Sequence, residues 1–229
     1  MEWFNLWVGA GFALLNFCIF LLGYRLFGRT GLYAWMGIAT VLANIQVVKT
    51  IVMFGMVMTL GNTMYGTLYL TTDLLNEKYG ERAAKKAVWF GFFTLIATTI
   101  IMQVALVFHP QPEDIAQPAL QTIFGLMPRV ALGSLTAYLV SQNIDVRLFS
   151  LIRRRFPKPN QLWIRNNGST LLSQLVDTLI FTTIAFWGVY SFEVWFDILI
   201  TTYFIKFIVS WISTPFLYIA RSLQVPEEH

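Results

Sequence analysis

Residues 163–188 read WIRNNGSTLLSQLVDTLIFTTIAFWG. After Arg165, two asparagines and a glycine, the run is predominantly apolar for about twenty residues, long enough to cross a bilayer core of about 30 Å as a helix. Asp177 sits near its middle. At 1.5 Å of rise per residue its carboxylate lies about 14 Å from the Gly168 end. An unpaired carboxylate at that depth costs at least about 2.5 kcal/mol, so it must face protein or water rather than lipid. Thr170, Ser173, Gln174 and Asp177 recur at i, i+3, i+4 and i+7, which is one helical face. A membrane helix with a polar stripe and a central acid needs other helices around it and a wet or ligand-filled interior.

Composition extends this to the whole chain. Of 229 residues, 56% are hydrophobic and only 12% charged, against about 25% charged in a soluble domain; mean hydropathy is +0.61. The expected fold is an all-α, polytopic transmembrane helix bundle, a single domain over 1–229. The net charge of +4 does not signal a nucleic-acid partner, because the basic residues fall in short loops between predicted helices, as membrane topology requires. The single cysteine, Cys18, forms no intrachain disulfide and no thiolate cluster, and reads as packing within an apolar run. His109 and His229 lie in a loop and a tail. With no HExxH, GxSxG or Walker-type glycine loop, no metal, no cofactor and no enzymatic activity are expected. An intramembrane enzyme also lacks a nucleophile–base constellation.

Seven helices are predicted, at about 3–22, 32–49, a third ending near 73, 87–108, 128–151, 163–188 and 194–219. The first begins acidic and lacks a cleavage site, so it is expected to be retained: 1–27 is an extra N-terminal helix on a six-helix core at 32–220. Gly55 and Gly61 bracket a weak boundary at 50–57. On the third helix Asn62, Gly66, Tyr69 and Asp73 share a narrow face. The charged segment 76–86 reads as a solvated loop, the proline-rich 109–119 as another loop, 121–127 as a short interfacial piece and 191–197 as an acidic connection. Two Lys/Arg fall in 25–29, four in 78–86 and six in 147–165, and Arg221 follows the last helix. None falls in the N-terminal tail, 109–119 or 190–195. The positive-inside rule then places the N-terminus outside and the C-terminus in the cytoplasm. Lys49, Arg129 and Lys206 remain at or within membrane segments, where charge is costly. Asp177 and Lys206, on consecutive helices at similar depth, are expected to face one polar cavity, paired directly or bridged by ligand or water. Asp73 or a carbonyl of the second helix is the alternative partner for Lys206.

Four stretches together resemble the queuosine precursor transporter family, solitary transporters related to the vitamin-uptake S-components: TTDLLNEKYG (71–80), MPRVALGSLTAYLVSQNIDVRLF (127–149), NNGSTLLSQLVDTLIFTTIAFWG (166–188) and YFIKFIVS (203–210). The resemblance covers roughly residues 32–220. It implies a multi-pass protein of the prokaryotic cytoplasmic (plasma) membrane that imports 7-deazaguanine bases, the 7-cyano or 7-aminomethyl precursor or queuine. Carried over position by position, it implies functional roles for Asp73, Arg129, Asp145, Asp177 and Lys206. The polar stripes add Asn62, Tyr69, Ser173, Gln174 and Phe181 as candidate base-binding groups. Asp177 would read the paired donors of a guanine-like edge, Gln174 and Ser173 the lactam oxygen, and Phe181 or Tyr69 the ring face. Asp73, Asp145 and Asp177 are candidates for a proton or charge relay. The competing reading of each stripe is helix–helix glue, which Ser, Thr and Gln usually supply in membranes.

Two further functions stay open. A relative can serve as the binding subunit of an energy-coupling factor complex driven by a separate ATPase, and Ala39 and Ala43 have the small-residue spacing of a docking face. Such a partner is not required, and homo-oligomerisation is equally open. A retinal-type photoreceptor or pump fits seven spans and a mid-helix lysine, but its counterion does not: Asp73 sits at the wrong depth for Lys206.

Overall fold

A computed structural model of the chain describes residues 2–46, 49–53, 56–125, 128–188 and 191–223. It opens with α1 (Glu2–Gln46), which is broken at Gly28, where φ is 55° and ψ −135°. Only glycine adopts that geometry without steric cost. The break reverses the chain. The Phe20 and Trp35 rings lie 6.3 Å apart, whereas fifteen residues of straight helix would separate them by about 22 Å. Arms 2–27 and 29–46 are therefore an antiparallel pair, so the 44-residue apolar segment supplies the first two of the seven helices expected from the sequence. Phe17, Phe20 and Tyr24 turn into the bundle, with Phe17 stacked on Phe216 at 4.2 Å. Trp3, Trp7 and Cys18 are exposed on the apolar outer face.

The weak boundary at 50–57 proves to be a β-hairpin, β1 (Thr50–Met53) paired antiparallel with β2 (Met56–Thr59); residues 54 and 55 lie outside the described set. Ile51, Val52 and Val57 suit an extended backbone, and the ladder pairs the peptide groups that the two strands turn toward each other. The Leu60 N–H donates to the Lys49 carbonyl at 2.8 Å and closes the hairpin base. A 3₁₀ turn (Leu60–Met64) then leads into α2 (Tyr65–Tyr79).

Three boundaries differ from the sequence expectation. The third helix was expected to end near Asp73, but α2 runs on to Tyr79 and stops at Gly80, whose φ is 84°. Segment 76–86 is consequently not a solvated loop: it is the last turn of α2 and the first of α3 (Glu81–Val107). Its charges find partners, including Lys85 with Glu81 at 2.5 Å within α3, so charge density misread a helix junction as loop. After α3, the proline-rich stretch is loop only to residue 115. It continues as α4 (Ala116–Leu120), whose first N–H donates to the Asp114 carboxylate at 2.9 Å, and a π-helical turn (Gln121–Gly125); Met127 lies outside the described set. Then come α5 (Pro128–Arg155), a 3₁₀ turn (Pro159–Gln161), α6 (Leu162–Phe186) and α7 (Phe192–Ser222). The expected acidic connection at 191–197 largely belongs to the first turns of α7.

α2 occupies the centre. Every residue from Gly66 to Glu77 is buried, and α1, α3, α5, α6 and α7 all pack against it. α5 lies along α6, and α6 along α7. Ala39 and Ala43 are buried within the bundle, so their small-residue face seats the protein's own helices rather than an outside partner. Arg29 stands over the Tyr79 ring, Lys78 donates to the Leu223 carbonyl, and Arg153, Arg165 and Arg221 surround Glu77. The basic connections and the last residues of α7 thus meet at one end of the bundle.

Candidate functional site

Four helices bring polar side chains to a common interior. α2 presents Tyr65, Tyr69, Asp73 and Glu77 at successive i, i+4 positions, a column along one face. α5 contributes Ser141, Gln142 and Asp145; α6 contributes Thr170, Ser173, Gln174 and Asp177; α7 contributes Lys206. Except for Tyr65, all are buried.

Lys206 and Asp177 pair directly, Nζ to Oδ2 at 2.5 Å, with side chains 2% and 1% exposed. The other carboxylate oxygen, Oδ1, accepts from the Ser141 hydroxyl at 2.9 Å. The ammonium also stands over the Tyr65 ring, 4.1 Å from its centroid, a cation–π contact. Lys206 is thus held by an acid and an aromatic face and does not reach lipid. One turn nearer the basic end, Asp145 accepts from the Ser173 hydroxyl at 2.8 Å and the Thr72 hydroxyl at 3.4 Å. Asp73 lies beside Asp145 and the Thr170 hydroxyl, yet neither of its oxygens accepts a hydrogen bond. Tyr69 stands among Asp145, Asp177 and Ser141, its own hydroxyl unpartnered. The amides of Gln142 and Gln174 and the Thr170 hydroxyl likewise make no hydrogen bond. Buried polar groups in proteins are normally paired. So many unpaired ones on facing helices amount to hydrogen-bonding capacity directed at something other than the protein.

The structure separates the sequence-derived candidates. Asp177, Lys206, Ser173, Tyr69, Asp145 and Asp73 come together along the α2–α5–α6–α7 interior, and Gln174 is buried on the same helix face. Asn62 is buried in the 3₁₀ turn before α2, so the face it was expected to share with Tyr69 and Asp73 is not one continuous helix. Phe181 packs in a small apolar cluster with Ala137 and Ala185, edge-on to Phe186 at 5.7 Å. Arg129 does not join the interior. It is exposed and donates to the carbonyls of Ile184 and Trp187 at 2.7 and 2.5 Å, closing the C-terminal end of α6, where cations are favoured. Lys49 is exposed at the hairpin base. Of the three costly cations, only Lys206 is at the site.

Sequence reasoning passed over Tyr65, Ser141, Gln142 and Thr72. Each lies one turn from, or next to, a residue it did single out: Tyr65 from Tyr69, Ser141 and Gln142 from Asp145, Thr72 before Asp73. It also passed over Glu77, whose carboxylate meets Arg165 at 2.8 Å, Arg221 at 3.4 Å and Arg153 at 3.7 Å. Among the described residues no three His, Cys, Asp or Glu side chains gather as metal ligands.

Comparison with known proteins bears on the same region. A family model described as a putative vitamin uptake transporter matches residues 59–220, which include all of the interior groups above. A Bacillus subtilis protein named a probable queuosine precursor transporter is 56% identical over 212 residues, 93% of each chain. The Escherichia coli queuosine precursor transporter is 27% identical over 173 residues, 73% of this chain and 74% of that one. No solved structure matches.

Proposed function

The chain belongs to the putative vitamin uptake transporter family, and we propose that it carries queuosine precursors, 7-deazaguanine bases, inward across the cytoplasmic membrane. It is a transporter and not an enzyme. The observation that carries the substrate reading is the column of buried, unpaired polar groups between α2, α5, α6 and α7. A heterocyclic base has polar edges and an apolar face, and its site needs a few convergent polar groups within an otherwise apolar lining.

Asp177, Lys206, Ser173, Gln174 and Tyr69 form the recognition set in this reading. Asp177 and Lys206 neutralise each other while the site is unliganded. A guanine-like edge, with N1–H and the exocyclic amine side by side, takes over the two carboxylate oxygens. Lys206, released, donates to the lactam oxygen. Adenine puts an acceptor where the carboxylate needs a donor, and a site built this way rejects it strongly. Gln174 supplies a further donor and acceptor, and Tyr69 flanks the ring. Arg129 is left out of this set because its guanidinium is committed to the end of α6.

The experiment is uptake of labelled 7-deazaguanine base into cells unable to synthesise it, with adenine as competitor. The reading expects label to accumulate only when the chain is expressed, and excess adenine to leave it unchanged. Failure to accumulate, or equal competition by adenine, ends it.

A further inference from the structure

The recognition region holds more acids than cations among the described residues. Asp73, Asp145 and Asp177 face it, with Lys206 as the one cation among the described groups there, and Lys206 is taken by Asp177 at 2.5 Å. Asp145 is held by neutral hydroxyls, those of Ser173 and Thr72. Asp73 is fully buried and neither of its oxygens accepts a hydrogen bond. Arg165 of α6, which meets Glu77 one turn further along α2, is committed to Glu77 and to the Phe156 and Lys158 carbonyls. Beside Asp73 stand Asp145, Glu77 and the unpartnered, 1% exposed hydroxyl of Thr170. Two buried carboxyl groups side by side without a cation do not both ionise, and a cation brought between them favours the charged form of each.

We infer that Asp73 and Asp145, with the Thr170 hydroxyl, form a subsite for a positively charged amine on the transported base. The inference rests on the deazaguanine reading above and narrows it to substrates with an aminomethyl-type arm. An alkyl ammonium has three N–H donors; Asp73, Asp145 and Thr170 supply an acceptor for each. Like the lysine ammonium, such an arm is cationic at neutral pH, whereas a cyano arm carries no charge and no donor. The spacing suits a bicyclic base. Ser173, which donates to Asp145, lies one turn from Asp177 on α6, about 6 Å by helix rise, and Tyr69 stands beside both acids. A base with its arm at Asp73 and Asp145 lays its ring along Tyr69 and brings its donor edge to Asp177.

The test uses the full chain in cells unable to make the base and three probes: 7-aminomethyl-7-deazaguanine, its neutral N-acetyl derivative, and 7-cyano-7-deazaguanine. With the natural sequence, the charged base should compete for uptake at least about tenfold better than either neutral one, as loss of a charge-assisted contact implies. Asp73→Asn should reduce uptake of the aminomethyl base about tenfold more than that of the cyano base, with folding checked by thermal unfolding of the purified protein. Equal handling of charged and neutral bases by the natural sequence overturns the subsite and leaves the deazaguanine reading standing, whether or not the variant folds. Equal loss of both bases in a folded Asp73→Asn variant also overturns it, and assigns Asp73 to a proton or to structure. Uptake of none of the three overturns the subsite and the deazaguanine reading together.

Discussion

At the scale of single residues, the Asp177–Lys206 pair has two separable jobs. Both side chains are buried and, among the described residues, each is the other's ion-pair partner, so removing one leaves an uncompensated charge, which costs about 3–5 kcal/mol in a buried pair. Asp177→Asn and Lys206→Met should therefore each lower the thermal unfolding temperature of the purified protein. The double variant should recover most of that loss, because no charge is left unpaired. Uptake then distinguishes counterion from reader. If Asp177 only neutralises Lys206, the double variant transports normally; if it reads the donor edge, stability returns and deazaguanine uptake does not.

Helix elements are joined by contacts of two kinds. One is steric. Gly91 of α3 lies against the Tyr138 hydroxyl of α5 and against Met36 and Thr40 of α1, so a Cβ there collides with the Tyr138 oxygen, which itself contacts the Met36 sulfur at 3.1 Å. Gly91→Ala should destabilise by about 1–3 kcal/mol, the usual cost of overpacking, and adding Tyr138→Phe should return part of it by removing the obstructing atom. Thermal unfolding of the single and double variants measures both. The other contact is electrostatic. Glu77 ties α2 to α5, α6 and α7 through three arginines, but only Arg165 is buried, at 1% side-chain exposure, against 40% for Arg153 and 30% for Arg221. Glu77→Gln should cost about 3 kcal/mol or more by stranding the buried guanidinium. Arg153→Gln should cost under about 1 kcal/mol, because water screens an exposed pair. Equal losses from the two would mean that burial does not set the strength of this cluster.

For the whole molecule, the distribution of basic residues predicts which end faces the cytoplasm. The turns at Gly28 and Gly80, the 3₁₀ turn at Pro159–Gln161 and the end of α7 gather at one end and carry most of the basic residues. The loop after α3 lies at the other end, about 40 Å away along that helix. The positive-inside rule predicts that the basic end is cytoplasmic. In a Cys18→Ala background, Glu113→Cys should react with a membrane-impermeant thiol reagent in intact cells. Arg82→Cys and Lys158→Cys should react only after permeabilisation; all three positions are exposed. Labelling of Arg82→Cys and Lys158→Cys in intact cells would invert the topology.

Much of this was legible in the order of residues. The apolar run lengths, the polar face of residues 170–177 and the clustering of basic loops depend only on local periodicity and on the cost of charge in hydrocarbon. They were enough for a seven-helix membrane bundle, for the α6 boundaries to within a residue or two and for a shared interior at Asp177 and Lys206. What periodicity cannot carry is the rotation of each helix against its neighbours, and that decided the rest. Arg129 looked like a site residue, but the packing of α5 turns it to the carbonyls closing α6. Segment 76–86 looked solvated because it is charged, but Glu77 is buried where three arginines from other helices converge. The hairpin at 50–59 was hidden in an apolar stretch that suits strand or helix equally, since its pairing is a contact between segments. Asp73 and Asp177 look alike as intramembrane acids. Only the packed bundle gives Asp177 a lysine and a serine and leaves both oxygens of Asp73 without a hydrogen bond, because a partner is a property of two helices and a sequence pattern is a property of one.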